Sequence, residues 1–106
     1  MHKLTVFYTE PANPEGFESH YERYHMPLVR AWPQIRAIRM SRFSGDPRGN
    51  PPTVYLMAEI LFDDEESLGR ALRSEPGVAL VQDLTEMSRK FDVEARLMVG
   101  TEQEIA

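Results

Sequence analysis

The residues best suited to chemistry in this 106-residue chain are three histidines, four tyrosines and a single tryptophan. His25 leads them, because an imidazole exchanges a proton near neutral pH. It lies close in sequence to Tyr21, Tyr24 and Trp32, and Pro27 follows shortly after. Proline has no N–H to give the carbonyl of Arg23, and it disfavours helical geometry at Met26. A break or kink is therefore expected near Tyr24 to Met26, freeing backbone carbonyls close to the imidazole. One titratable group among aromatics suits a mostly apolar pocket with one polar anchor. In such a pocket His25 would move a proton, and Tyr21 or Tyr24 would donate to an oxygen where charge develops. The plainer alternatives are a histidine that bonds a freed carbonyl and tyrosines that are core aromatics with hydroxyls needing partners.

Asp83 has three readings: it orients His25, it acts as a base, or it is a solvated helix carboxylate. His2 and His20 lack supporting neighbours and read as surface residues. His20 and His25 would point about 140° apart on a continuous α-helix, and no HxH or HxxxH spacing occurs, which argues against a metal site. Asp63, Asp64, Glu65 and Glu66 read as a helix start. No GxxxxGK[ST], GxGxxG or GxSxG is present. The absence of cysteine excludes disulfides, zinc–thiolate sites and a cysteine nucleophile. Twelve Lys and Arg against seventeen Asp and Glu give a net charge of −5, the wrong sign for general nucleic-acid binding. Apolar runs are too short to span a membrane, and the alternating N-terminus is unlike a signal peptide. A soluble, cytoplasmic protein is the expectation.

These residues need elements to hold them. Lys3 to Thr9 alternates as a strand, with Leu4, Val6 and Tyr8 on one side. Asn13, Pro14 and Glu15 form a helix start. Phe17, Tyr21, Tyr24 and Leu28 follow, within about 60° of one another on a helix. His25 and Trp32 lie on the edge of that stripe and His20 on the opposite edge; the helix stops at Trp32–Pro33. Ile35 to Phe43 and Thr53 to Phe62 read as strands. Asp63 or Asp64 caps a helix carrying Leu68, Ala71 and Leu72, and Pro76–Gly77 breaks it. A helix from about Val78 to Arg89 and a strand from Phe91 to Val99 complete the chain. The order β-α-β-β-α-β predicts an α+β, ferredoxin-like fold: a four-stranded antiparallel sheet with helices on one face. Residues 1–100 form one domain, and 101–106 a loose tail.

Two helices cover one face of such a sheet. The other would carry Phe7, Phe43, Tyr55, Met57, Leu61 and Met98, mixed with Lys3, Arg39, Glu59, Glu94 and Arg96. That is apolar for a solvated face, and a second copy of the same sheet is the simplest cover. A homodimer is therefore expected.

The stretch from Phe17 to Val29, with Phe17, Tyr21, His25, Pro27 and Leu28, resembles the EthD family of the dimeric α/β-barrel (ferredoxin-like) superfamily. The strand ending at Phe62, the acidic helix start after it and Asp83 in the late helix are also similar. One departure is Met87, where the family often has an aromatic four residues after the aspartate. The resemblance implies a homodimer whose two sheets pack into a barrel, with a pocket between helices and sheet. Relatives bind or convert aromatic, polyketide or lactone compounds, and some bind haem; EthD proteins are associated with ether degradation. The expected activity is cofactor-independent isomerisation, cyclisation, dehydration or decarboxylation of an aromatic or oxygenated small molecule. His25 and Tyr21 would be catalytic, and Phe17, Tyr24, Leu28, Trp32 and Asp83 would line the pocket. A non-catalytic protein binding a small apolar or aromatic ligand is one alternative. A haem protein with His25 as axial ligand is another.

Overall fold

The computed structural model describes residues 1–106. Strand β1, His2–Tyr8, turns Leu4, Val6 and Tyr8 into the core. Helix α1, Pro14–His20, starts where the Asn13 side chain accepts from the Gly16 N–H and Pro14 takes the first turn. The chain then winds through one π-helical turn, Tyr21–His25, into the short helix α2, Met26–Arg30. Strands β2, Ala37–Arg42, and β3, Leu56–Phe62, follow. Helices α3, Glu65–Arg73, and α4, Glu75–Lys90, lead to the last strand, β4, Ala95–Thr101.

The strands form one antiparallel sheet in the order β2-β3-β1-β4. This is the α+β, ferredoxin-like arrangement that the element order predicts. In β1 against β3, Leu4 faces Ile60, Val6 faces Ala58 and Tyr8 faces Leu56. These pairs point at the helices and pack with Phe17, Tyr21, Leu68, Leu80, Leu84 and Met87. Phe17 anchors an aromatic cluster, with ring centres 5.5 Å from Tyr8, 5.7 Å from Tyr21 and 6.0 Å from Phe91. Tyr8 meets both Phe17 and Tyr21 edge to face, and Phe17 meets Phe91 the same way, an arrangement worth about 0.5–1.5 kcal/mol per pair beyond area burial. The opposite face of the sheet sets Phe7 against Met57 and Arg96, and Lys3 against Leu61 and Gly100.

Several boundaries differ from the pattern-based expectation, each for a local reason. The break between α3 and α4 falls at Ser74, whose hydroxyl donates to the Ala71 carbonyl and accepts from the Gly77 N–H. Pro76 and Gly77 lie inside the first turn of α4, where proline is tolerated. Gly77 is needed there because a Cβ would sit 2.1 Å from the Ala71 carbonyl oxygen. Phe91 and Val93 are buried but precede β4, since Asp92 turns the chain with φ of 52°. Thr101 pairs with His2 at the far end of β4, and the Glu102 carboxylate meets Arg39 and Lys3. Tyr55 lies before β3, so strand alternation does not orient it. Its ring packs on Phe17 and its hydroxyl donates to Glu18, on the helix side and not on the open face. No helix is long and apolar enough to cross a membrane.

Candidate functional site

The site is built on the π turn. In an α-helix each N–H bonds four residues back; here the Met26 N–H reaches the Tyr21 carbonyl, five back. The helix takes in an extra residue and continues, so Pro27 does not end it: Pro27 sits in the first turn of α2. The extra residue rotates everything after it. The buried side is no longer Phe17, Tyr21, Tyr24 and Leu28, but Phe17, Tyr21, His25, Met26 and Val29.

Three consequences follow. Tyr24 is carried outward and is 63% exposed, packed against His20 with ring centres 5.2 Å apart. It is not a pocket residue. Leu28 is left half-buried at the edge of the core. His25 is turned fully inward and is 2% exposed.

The same turn brings His20 and His25 together. An i→i+5 turn places residues five apart above one another, where an α-helix would separate them. Both rings reach Asp83 on α4: His25 Nδ1 lies 2.8 Å from Oδ2 and His20 Nε2 lies 2.9 Å from Oδ1. An ionised carboxylate only accepts, so both ring nitrogens donate to it. Neutral His25 thus carries its proton on Nδ1 and presents a lone pair at Nε2. The Tyr8 hydroxyl lies 3.5 Å from that nitrogen, a long contact. The Tyr21 ring stacks on His25 with centres 4.9 Å apart.

A cavity of about 10 Å³, room for roughly one water molecule, adjoins the ring. Tyr8, Tyr21, Met26, Val29, Ile38 and Leu80 are among its walls. Phe17 and Trp32 are buried but do not line it; Trp32 packs on Phe62, and its indole N–H has no partner. The cavity does not suit haem. The one ring nitrogen able to ligate iron faces Tyr8 across a space far smaller than a macrocycle.

Burial disfavours charge here. It lowers the His25 pKa below 6.5, against the raising pull of the Asp83 hydrogen bond and charge, and His20 lowers it further. Burial pushes the Tyr8 hydroxyl well above its usual range and the Tyr21 hydroxyl up to about 12. His25 is therefore held neutral, with two protonated phenols beside it.

Of the residues expected from sequence, the structure brings His25, Tyr21 and Asp83 together. Tyr8, His20 and Met26 join them unforeseen. Tyr8 had a signal, as the last inward position of the first strand. His20 had one only in its five-residue spacing from His25, which an α-helical reading turns into a separation.

A ferredoxin-like domain with an aspartate-anchored imidazole buried between helices and sheet is the class defined by fold and site. Comparison with known proteins narrows it. Residues 9–87 match the EthD domain. An uncharacterised 11.0 kDa protein from the thcB-thcC intergenic region of Rhodococcus erythropolis is 31% identical over 84 residues, covering 79% of this chain and 81% of that protein. The crystal structure of an EthD family protein from Bacillus halodurans superposes with a TM-score of 0.87 at 36% identity, over 97% of this chain and 99% of the other. The fold is also that of SnoaB, a cofactor-independent oxygenase from Streptomyces nogalater, which aligns with a TM-score of 0.65 at 15% identity, over 98% and 94% of the two chains. The chain belongs to the EthD family.

Proposed function

We propose that this EthD protein is a cofactor-independent acid–base enzyme acting on a small oxygenated or aromatic molecule. The observation that carries this reading is the alignment of Asp83, His25 and Tyr8 at an apolar cavity. Asp83 fixes the tautomer of His25 and stabilises the imidazolium formed when Nε2 takes a proton. Tyr8 and Tyr21, kept protonated by burial, supply O–H groups for an oxygen that gains charge as the proton leaves. The SnoaB fold, described as a cofactor-independent oxygenase, supports chemistry without a cofactor on this scaffold. The cavity as it stands admits one small group. Anything larger enters by displacing Met26, whose unbranched thioether is the most adaptable part of the wall.

The test is turnover of a panel of aromatic hydroxy- and keto-compounds by the wild-type protein and by His25→Ala. The expected loss on any accepted compound is about 10²–10⁴-fold. Unchanged turnover in His25→Ala overturns the reading. The small size of the cavity also favours a second reading, ligand binding without chemistry, which predicts thermal stabilisation by a compound that is never converted.

The proposed partner is a second copy, seated on the open sheet face where Phe7, Met57 and Met98 lie between charged residues.

A further inference from the structure

We propose that His20 is a positioning residue that sets the protonation state of His25 through their shared carboxylate. The inference rests on the acid–base reading of the site and concerns its control. Asp83 offers one negative charge and two oxygens, and each oxygen is engaged by a different imidazole, at 2.9 Å and 2.8 Å. One carboxylate neutralises one imidazolium. A proton taken from solvent by His20 makes that ring a cation, satisfies the charge of Asp83 and removes most of the reason for His25 to be charged as well. His25 then stays a neutral base toward the cavity.

The two rings differ in the way this division requires. The His20 side chain is 17% exposed and that of His25 is 3% exposed, so solvent hydrates a charge on His20 and not one on His25. The aromatic rings of Tyr24 and Phe91 pack against His20, at 5.2 and 5.7 Å, and leave Asp83 as its one charged hydrogen-bond partner. The other polar groups facing the pair are few. Asp83 comes from α4, Tyr8 from β1 and Tyr21 from the π turn, and Lys90 lies over Phe91 with its Nζ 5.3 Å from the ring centre. Asp83 is the one carboxylate bonded to either ring.

The experiment follows the ring signals of both histidines by NMR across pH 4–9, without substrate, in wild type, His20→Gln and His20→Lys. Gln keeps a neutral donor for Asp83; Lys keeps a permanent cation. In wild type the His25 signals should move in two steps, one coinciding with the titration of His20. In His20→Gln the His25 midpoint should rise by about half a pH unit or more, roughly a threefold gain in proton affinity. In His20→Lys it should stay at or below the wild-type midpoint. A single-step His25 curve in wild type, or an equal shift of the same sign in both variants, overturns the proposal, since a merely structural His20 would be disturbed alike by either change. Because no substrate is involved, failure here leaves the acid–base reading untouched. Full turnover in His25→Ala would sink that reading while leaving the coupling intact.

Discussion

His20 and His25 donate to opposite oxygens of one aspartate, although an α-helix would point them about 140° apart. The π turn between them is the physical cause, and it makes Asp83 the keystone of the site. Asp83→Asn retains the size of the side chain but removes its charge, and the amide N–H₂ either faces a ring N–H or drives that ring to move its proton to the nitrogen away from the contact. The fold should lose about 1–3 kcal/mol, the cost of an unsatisfied buried polar group. The His25 midpoint should also fall, because the contact that raises it is gone. Urea denaturation and histidine NMR measure the two effects, and an unchanged His25 midpoint would refute the assigned geometry.

The buried imidazole makes stability depend on pH with a definite sign. Folded His25 binds its proton at lower pH than the 6.5 of an unfolded histidine. As pH drops through 6.5 the unfolded chain takes up the proton first, so folding loses stability, and the loss continues until the folded value is passed. The slope is at most about 1.4 kcal/mol per pH unit for one proton. Carboxylates held low by partners, such as Glu18 beside Arg42, release their contribution only near and below 4.5. The stability difference between wild type and His25→Gln, read from urea midpoints, should therefore be constant from pH 8 to 7 and shrink between 6.5 and 5.

The shifted helix face separates two neighbours that an α-helical stripe treats alike. Met26→Ala removes a buried wall of the cavity and should cost about 2–5 kcal/mol. Tyr24→Ala, at an exposed position, should cost about 1 kcal/mol or less. Thermal melts of the two variants rank them; the reverse order would mean that the π turn is absent in solution.

The open sheet face predicts self-association. Met98 is 62% exposed and, with Met57, lies on the side away from the helices. Sedimentation should give twice the chain mass for the wild type, and Met57→Lys with Met98→Lys should shift the protein toward monomer with its circular dichroism preserved. A monomeric wild type at micromolar concentration would rule out this interface.

Much of the molecule was legible in its residues. Alternation in Leu4, Val6 and Tyr8 marks β1, and the short, mostly apolar run Leu56 to Phe62 marks β3, a central strand buried on both faces. Asn13, Asp64 and Ser74 cap their helices through contacts of three residues' span, which local sequence encodes. Pro27 announced that the first helix could not run on as a regular α-helix, and it singled out His25. What a proline demands locally has two solutions, a break or an extra residue, and local propensity does not choose between them. Burial chose the π turn here: the added residue lets Tyr21, His25, Met26 and Val29 all reach the core, at the cost of exposing Tyr24. The pairing of both histidines with Asp83, 58 and 63 residues away, and the approach of Tyr8 to His25 arise only when α4 and β1 close around that turn. Such contacts depend on packing between distant elements, and no periodicity along the chain records them.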